Sequence, residues 1–381
     1  MWVKQIEIFG FLGREIPIRA SFNRDLNIVT GRNGAGKTSF LKLVWFLMSG
    51  NIVEALREVP FEKVTLITSE YECTVIRTGT ATCRVELKIA GKTSLFEDQY
   101  DEDGDAVENA EDLASERITP RGSSIFFPTF RRIEGGFTLK SSTQASSSPS
   151  LFARRATKPG EVEDGLDKLS NKLSNNEHRF VSGISTVDIV SMLQKTYSER
   201  TEAYNVSQRE MSQSIVERIK QYQISPGSLQ SEQKAESLLS SIRLEIENVE
   251  AGRAKLMLPF SEIQSVVQSM FGHKGIKVGR VSFGDAAEAI NSDVMSAGEK
   301  QMLSFIAYNG LAEHAVVLVD EPELSLHVDW QRALFGTLMR QRASNQFIIA
   351  THSPFIYAKY PDKEIAIHSD RGDAEVVDEQ G

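Results

Sequence analysis

The sequence predicts an α/β protein whose strand-rich head is interrupted by a long helical segment. The first observation is a glycine-rich turn that joins a short apolar strand, Leu26–Thr30, to a helical pattern from Thr38 to Met48. The second is an alternation of strands and helices that resumes after Val278 and continues to the C-terminus. The third is the helical spacing of the stretch from Gly165 to Pro259. Together they indicate a head built from two separated halves of the chain.

Strand patterns occupy much of the first hundred residues. Val3–Phe9 alternates apolar and polar side chains, as a half-buried strand does. Strand-forming residues then recur in three runs, Val64–Thr68, Thr74–Thr78 and Cys83–Ile89. Successive strands at this spacing predict an antiparallel meander attached to the first half of the head.

The segment between the two strand-rich parts of the sequence is polar. Glu97–Asp112 carries nine carboxylates and no Lys or Arg, which predicts a solvated loop, with a docking surface for a basic partner as the alternative. Ile125–Phe130 reads as an apolar strand interrupted by Pro128. Ser141–Ser150 is rich in serine and reads as a flexible linker.

The helical stretch predicts a hairpin. Val187–Ile224 contains no Pro or Gly, Ser225-Pro226-Gly227 is a turn signal, and Leu229–Leu258 offers a second long helical pattern. Two long helices joined by a short turn make an antiparallel arm. The predicted domain organisation is therefore a head N-terminal half at 1–140, a flexible linker at 141–164, a helical arm at 165–274 and a head C-terminal half at 275–381.

Composition excludes several classes of protein. The 381 residues include 43 Lys and Arg against 52 Asp and Glu, a net charge of −9, which does not favour general nucleic-acid binding. The two cysteines, Cys73 and Cys83, are not accompanied by a histidine pair, so we do not expect a zinc site or a disulfide scaffold. We expect two buried thiols instead. We see no signal peptide and no apolar run long enough to span a bilayer, so we expect a soluble, cytoplasmic protein.

The strongest motif fits the phosphate-loop pattern and lies between a strand and a helix. Its glycines allow the main chain to wrap around phosphates, and the following helix N-terminus adds positive dipole. Lys37 is placed to reach the β- and γ-phosphates, and the Thr38 hydroxyl is a ligand for Mg²⁺. The predicted ATP-binding residues here are Gly31, Arg32, Asn33, Gly34, Ala35, Gly36, Lys37, Thr38 and Ser39.

A second motif is the apolar strand Val316–Val319, which ends in two carboxylates. In nucleotide-binding α/β folds, ligands bind beyond the carboxyl ends of parallel strands. We therefore expect Asp320 to hold Mg²⁺ and Glu321 to polarise the attacking water. An acidic strand end with no catalytic role is the alternative interpretation.

Two further motifs are weaker on their own. Ser296 and Gly298 begin a helical pattern and could approach a phosphate, whereas Glu299 lies at capping-box distance from Ser296, which is also typical of an ordinary helix N-cap. His352 follows the apolar strand Gln346–Ile349 and could hydrogen-bond a γ-phosphate. A lone histidine is more often structural.

The four motifs, in this order, resemble those of the ATP-binding-cassette (ABC) ATPases. Asn33 and the head split by a helical insert resemble the SMC, Rad50 and RecF branch. The run Asp320–His327, followed by Trp330-Gln331, is similar to the overcoming-lysogenization-defect (OLD) ATPases of antiphage systems, and Ile125–Glu134 resembles a strand that those proteins place near the nucleotide. The matches cover roughly residues 1–140 and 275–381 but not the arm. Gly31–Thr38 matches Walker A, Ser296–Gln301 the signature motif, Val316–Glu321 Walker B and His352 the switch histidine.

The sequence departs from that family at two points. The signature reads Ser296-Ala297-Gly298-Glu299-Lys300, and a clear Q-loop glutamine is missing between Lys37 and Arg131. Coupling between nucleotide and arm is therefore expected to run through Phe130–Arg132.

The resemblance implies an ABC-type ATPase head, a mixed sheet with an antiparallel β subdomain and an inserted arm, that binds ATP and Mg²⁺. Two heads would sandwich two ATP molecules, giving an ATP-dependent homodimer or higher oligomer. The signature motif, with Ser296, Gly298 and Glu299 as its nucleotide-binding residues, would complete the partner's site. The catalytic residues would be Lys37, Glu321 and His352.

OLD nucleases continue into a TOPRIM nuclease domain, whereas 29 residues follow His352 here. We therefore expect a sensor or scaffold subunit of a defence complex with a separate effector, such as a nuclease, and a phage-encoded trigger. PARIS-type and Septu-type ATPase subunits are the named resemblances. The alternatives are a DNA-repair or chromosome-maintenance ATPase of the RecF or Rad50 kind, which would bind DNA, and the nucleotide-binding subunit of a transporter.

Overall fold

A computed structural model describes residues 1–100, 106–129, 132–133, 161–184, 186–221, 229–271, 296–341 and 344–367. The chain forms two compact units. One unit comprises Met1–Thr186 together with Val294–Gly381, and the other comprises Val187–Asp293.

The described strands and helices follow one another in this order along the chain. The strands are β1 (Val3–Phe9), β2 (Ile18–Ser21), β3 (Leu26–Thr30), β4 (Lys63–Thr68), β5 (Tyr71–Arg77), β6 (Cys83–Ile89), β7 (Lys92–Phe96), β8 (Gln99–Tyr100), β9 (Ala106–Glu108), β10 (Ser124–Phe127), β11 (Arg132–Ile133), β12 (His178–Phe180), β13 (Gly183–Ile184), β14 (Val316–Asp320), β15 (Gln346–Ala350) and β16 (Glu364–Ala366). The helices are α1 (Lys37–Met48), α2 (Ile52–Glu58), α3 (Ala110–Ile118), α4 (Glu161–Leu173), α5 (Thr186–Gln221), α6 (Leu229–Phe271), α7 (Ala297–Leu311), α8 (Val328–Arg340) and α9 (Pro354–Tyr357).

A parallel sheet organises the first unit. Its strand order is β12-β10-β14-β15-β3-β16, and its neighbours pair in parallel. The central strands β3, β14 and β15 are buried along their whole length, as parallel strands covered on both faces must be. In the register of β14 and β15, Asp320 lies opposite Ala350, so the two strands end at the same edge.

The second sheet of this unit is antiparallel, in the order β2-β1-β4-β5-β6-β7. The predicted meander is confirmed, and its inward-facing residues join one hydrophobic cluster with residues of the parallel sheet and of α1. Cys73 and Cys83 are buried free thiols, as expected, and burial raises the pKa of each to about 12. Both sheets therefore share one core with α1, which carries the chain away from the glycine-rich turn.

Two local predictions were wrong in part. The stretch from Gly165 was predicted to be helical, but β12 and β13 follow α4, and β12 joins the parallel sheet by pairing with β10. Glu97–Asp112 was predicted to be a loop, but α3 begins within it. Asp98 Oδ1 accepts the Ala110 N–H at 2.9 Å, and Glu111 turns inward, where burial raises its pKa. The carboxylates at 101, 102, 103 and 105 lie outside the described residues.

The second unit is a pair of long helices, α5 and α6. Tyr197 packs edge-on against Phe260 at 5.3 Å, Arg200 donates to the Leu256 carbonyl at 2.9 Å, and Arg253 lies 5.2 Å from the Tyr204 ring. The residue numbers of these contacts increase along α5 while they decrease along α6, so the two helices are antiparallel, as predicted. The second helix was expected to end at Leu258, but it continues past Pro259 to Phe271.

Three predicted segments lie outside the described residues. These are the turn at 225–227, the serine-rich stretch at 141–150 and the junction residues 130–131. None of the helices in the part of the chain that the structure describes is long and apolar enough to cross a membrane.

Candidate nucleotide-binding site

The carboxyl edge of the parallel sheet gathers four loops. β3 leads into the glycine-rich turn, β14 ends at Asp320, β15 leads to Thr351 and His352, and β10 leads to Thr129. β14 and β15 lie between β10 and β3, so these loops are neighbours in space. This edge is where a doubly wound or related α/β sheet binds its ligand.

The glycine-rich turn requires glycine at two positions. Gly34 and Gly36 have φ values of 78° and 88°, in the left-handed region that side chains with a Cβ rarely adopt. A Cβ at Gly36 would also collide with Leu12 and Phe11. Arg32, Asn33 and Gly34 form an exposed tip, whereas Gly31 and Ala35 are buried. The loop therefore has the shape needed to expose successive main-chain N–H groups to a ligand.

Arg14 braces this loop from the segment after β1. Its guanidinium donates to the Ala35 carbonyl at 2.7 Å and to the Ile367 carbonyl at 3.2 Å. The two bonds join the glycine-rich turn to the end of β16. They fix the Ala35 carbonyl, while the Ala35 N–H donates to the Arg32 carbonyl at 3.0 Å within the turn.

Lys37 begins α1, and it is 6% exposed. Its Nζ donates to the carbonyls of Gly31 at 2.8 Å and Arg32 at 3.2 Å, and lies 3.4 Å from His352 Nδ1. Burial lowers the pKa of Lys37, and the negative charges of Glu321 and Asp320 oppose that shift. Among the described residues no carboxylate lies within 4.0 Å of this ammonium.

Asp320 is fully buried at the end of β14, where its Oδ2 accepts a hydrogen bond from the Thr129 hydroxyl. Thr38 lies half-buried in the first turn of α1, and so does Ser39. Carboxylate and hydroxyl oxygens are the hard ligands that Mg²⁺ prefers. The chemistry of these donors therefore fits a magnesium ion.

Glu321 leaves the strand in an uncommon conformation, with φ of 47°. Its N–H donates to the Ala350 carbonyl at 2.8 Å, which holds the main chain against β15. Burial, with the charges of Asp320 and Glu323, raises the pKa of Glu321, while His352 and Lys37 lower it. A carboxylate with a raised pKa is better suited to accept a proton near neutral pH.

His352 lies between these groups, with a side chain that is 34% exposed. Its Nε2 is 4.0 Å from Glu321 Oε1, and its Nδ1 faces Lys37. Glu323 holds the main chain of His352 and the side chain of Thr351. The structure thus brings together the three predicted catalytic residues, Lys37, Glu321 and His352.

The predicted signature residues form the start of α7. Ser296 accepts the Glu299 N–H at 3.4 Å, while Glu299 Oε2 accepts from the Ser296 N–H and hydroxyl at 2.8 Å each, a complete capping box. Gly298 packs against the Ser325 carbonyl, and a Cβ there would collide with it. Gln301 Nε2 donates to the Pro322 carbonyl at 2.9 Å. The cap geometry is confirmed, and α7 is fastened to the loop after Glu321 of its own chain.

Sequence reasoning missed several residues of this edge. Thr129, Arg14 and Glu323 all bond to predicted site residues or their loops. For Thr129 and Glu323 a weak signal existed, since each lies just beyond a buried strand. No sequence pattern near Arg14 indicated that its side chain contacts the glycine-rich turn. Within the described residues there is no cluster of three or more His, Cys, Asp or Glu side chains arranged to hold a metal ion.

A family model matches this chain over residues 26–358, which include the glycine-rich turn, both carboxylates and His352. Its description reads "AAA domain, putative AbiEii toxin, Type IV TA system".

Two curated proteins are similar over short segments. Endonuclease GajA of Bacillus cereus (strain VD045) is 37% identical over 79 residues, which are 19% of this chain and 14% of that protein. Retron Vc95 probable ATPase of Vibrio cholerae serotype O1 biovar El Tor is 29% identical over 86 residues, 19% of this chain and 17% of that protein. The similarity therefore spans less than a fifth of either relative.

Solved structures are similar at low identity. One is an Smc head domain with an extended coiled coil bound to the C-terminal domain of ScpA, derived from Pyrococcus furiosus, with a TM-score of 0.36 and 14% identity over 94% of this chain and 91% of that one. Another is an SmcHead bound to the C-winged helix domain of ScpA, with a TM-score of 0.38 and 12% identity over 94% of this chain and 92% of that one.

Proposed function

This chain belongs to the AAA-domain family whose model matches residues 26–358, and we propose that it binds ATP with Mg²⁺ and hydrolyses it. The observation that carries the proposal is Lys37, a buried ammonium held by two main-chain carbonyls and a histidine nitrogen. Burying a charge is costly unless an opposite charge compensates it. A phosphate on the N–H side of the glycine-rich turn would supply that charge.

The role proposed for each residue follows from its position at the carboxyl edge of the parallel sheet. The main chain from Gly31 to Gly36 binds the phosphates, and Lys37 neutralises them. Asp320 and Thr38 would hold Mg²⁺, which when bound withdraws charge from the phosphate oxygens. Thr129 fixes the orientation of Asp320 through its hydrogen bond.

Glu321 and His352 are proposed to act on the attacking water and the γ-phosphate. Glu321 would orient the water and accept its proton, for which the raised pKa of this carboxyl is suited. His352, 4.0 Å from Glu321 and 3.4 Å from Lys37, would donate to the γ-phosphate oxygen. Its partial exposure leaves it accessible to a ligand arriving from solvent.

We further propose that two copies meet through ATP, each offering the start of α7 to its partner's nucleotide. Ser296 lies at a helix N-terminus, where main-chain N–H groups and the helix dipole favour an anion. The capping box holds Ser296, and Gly298 is buried against the Ser325 carbonyl, so Ser296 and Ala297 are the exposed residues at this helix start that would face a partner. The result would be a homodimer that ATP closes and hydrolysis opens.

The proposed biological role is that of a sensor or scaffold subunit of a prokaryotic antiphage complex, with ATP controlling a separate effector. The resemblance of the Asp320–His327 run to OLD-type ATPases supports it, and so do the short similarities to Endonuclease GajA and to a retron ATPase. A nuclease is the proposed effector class.

Nucleotide binding and hydrolysis are tested with two substitutions. Lys37→Ala should abolish tight binding of a fluorescent ATP analogue, and wild-type affinity would contradict the assignment of the glycine-rich turn. Glu321→Gln should bind ATP normally, release no phosphate and accumulate a larger species on size exclusion with ATP. Glu72→Gln, which removes a carboxylate of the antiparallel sheet that pairs with Lys88 at 3.7 Å, is the matched control.

The proposed dimer is tested by mixing. Ser296→Arg alone should bind nucleotide but not hydrolyse it, because the arginine obstructs the facing site. Mixed with Lys37→Ala, it should form a heterodimer with one intact composite site and recover part of the activity. Full hydrolysis by Ser296→Arg alone would exclude a signature supplied by the partner.

A further inference from the structure

The geometry points to Glu323 as a positioning residue that fixes the loop of His352 to the loop of Glu321. The inference rests on the proposed ATPase function, since it concerns how two of its residues keep their spacing. Glu323 lies two residues after Glu321, in the turn that follows β14. It belongs to the run Asp320–His327 that resembles OLD-type ATPases, but it is not among the predicted catalytic, ATP-binding or Mg²⁺-binding residues.

Both oxygens of the Glu323 carboxylate are engaged by the loop after β15. Oε1 accepts the His352 N–H at 2.7 Å, and Oε2 accepts the Thr351 hydroxyl at 2.8 Å. Thr351 is 1% exposed, so the donor end of this bond is buried. Hydrogen bonds to an ionised carboxylate are stronger than those between neutral groups. Glu323 therefore binds two donors on adjacent residues, the main-chain N–H of His352 and the side-chain hydroxyl of Thr351.

A second bond connects the same two segments. The Ser353 hydroxyl donates to Gln331 Oε1 at 2.6 Å, and Gln331 Nε2 donates to the Leu326 carbonyl at 2.9 Å. The Ser353 N–H donates to the Thr351 hydroxyl oxygen at 2.9 Å. Three consecutive residues after β15 are thus tied to the segment that follows Glu321.

These bonds matter because β14 no longer pairs with β15 here, although the Thr351 N–H still donates to the Val29 carbonyl of β3 at 3.3 Å. β14 and β15 are paired up to Asp320 and Ala350, and the Glu321 N–H makes the last main-chain bond between them. Beyond that point Glu323, together with the Ser353–Gln331 bond, connects the two loops. The distance of 4.0 Å between Glu321 Oε1 and His352 Nε2 depends on this connection. A shift of about 1 Å at a reacting group can reduce turnover about a hundredfold.

A neutral side chain of similar size would fill the same space but could not accept both hydrogen bonds. We therefore expect a carboxylate to be required here for activity rather than for packing.

The test compares Glu323→Gln with Glu72→Gln. Glutamine keeps the shape and can accept only one of the two bonds, because its amide nitrogen faces the second donor. We expect kcat for ATP to fall about 10- to 100-fold, as for other groups that orient a catalytic residue, with KM and the equilibrium Kd for ATP changed less than about threefold. Glu72→Gln should match wild type.

A second readout needs no nucleotide. Hydrogen exchange of the His352 amide in the nucleotide-free protein should be about tenfold faster or more in Glu323→Ala, which removes both acceptor oxygens, and unchanged in Glu72→Ala. Unchanged exchange together with wild-type kcat would overturn the inference. Should wild type neither bind nor hydrolyse ATP, the proposed function fails, yet the exchange measurement still decides whether Glu323 holds this loop.

Two variants of Thr351 control for a folding defect in Glu323→Gln. Thr351→Val removes the hydroxyl that donates a hydrogen bond to Glu323, and Thr351→Ser keeps that hydroxyl. We expect Thr351→Val to reduce kcat and speed exchange, and Thr351→Ser to restore both. Equal behaviour of the two variants would show that the bond to Glu323 has no positioning role.

Discussion

His178 should make the stability of the head fall steeply in mild acid. It lies on β12 with no exposed surface, and its Nδ1 is 2.8 Å from the Ser124 hydroxyl on β10. Burial lowers the pKa of His178 from 6.5 to about 4. The experiment measures the free energy of unfolding against pH for wild type and for His178→Asn. Asparagine keeps a polar atom near Ser124 but does not titrate.

The magnitude follows from the size of that shift. A depressed pKa means that the unfolded chain binds the proton more readily than the folded chain. The stabilisation is therefore complete above pH 6.5 and is lost as the pH falls from 6.5 towards 4. At 1.36 kcal/mol per pKa unit, the loss is about 3 kcal/mol, a large part of the stability of a typical domain.

Urea unfolding followed by tryptophan fluorescence measures this loss. Trp45 is a suitable reporter, since it is buried and packs against Phe126 at 5.6 Å and Phe180 at 5.4 Å. Between pH 7 and 4.5 wild type should lose about 2 kcal/mol or more beyond what His178→Asn loses. If the unfolding free energies of wild type and His178→Asn fall in parallel with pH, His178 does not carry this loss.

Three further substitutions probe the nucleotide site. Arg14→Ala should raise the Kd for ATP about tenfold, because the glycine-rich turn loses a charge-assisted brace; isothermal titration measures it. Gly298→Ala should cost about 1–3 kcal/mol in thermal unfolding, since its methyl meets the Ser325 carbonyl, whereas Gly252→Ala, in an open stretch of α6, should be neutral or slightly stabilising. Thr129→Val should raise the Mg²⁺ concentration needed for half-maximal turnover about 10- to 100-fold, with ATP saturating in both proteins; an unchanged requirement would contradict its role beside the aspartate.

The parts of the fold that could be predicted are those with a local signal. β1 and β3 have the predicted bounds, and α1 begins one residue before its predicted start. Strand periodicity, an apolar run and a glycine-rich turn each depend on neighbours within a few residues. The same holds for the capping box at Ser296, which needs only the residue three positions later.

The parts that could not be predicted depend on distant residues. β12 is three residues long, and it is a strand because β10 pairs with it, not because of its own pattern. Glu323 bonds to Thr351, 28 positions away, and Thr129 bonds to Asp320, 191 positions away. A single sequence carries no periodicity for such pairs. The residues that bond to the predicted site residues were therefore missed, while the ligand contacts of the predicted residues stay a prediction from local motifs.

The attachment of α7 bears on how the proposed dimer would work. Gln301 donates to the carbonyl of Pro322, and Gly298 lies against Ser325, so the start of α7 and the loop after Glu321 are in contact within one chain. In the proposed dimer that helix start meets the partner's nucleotide, while Glu321 serves the chain's own. Any movement of α7 on release of the partner's phosphate would then displace the loop that carries Glu321 and, through Glu323, His352. The two sites would be coupled, and Gln301→Ala should leave ATP binding intact while weakening the cooperativity of hydrolysis.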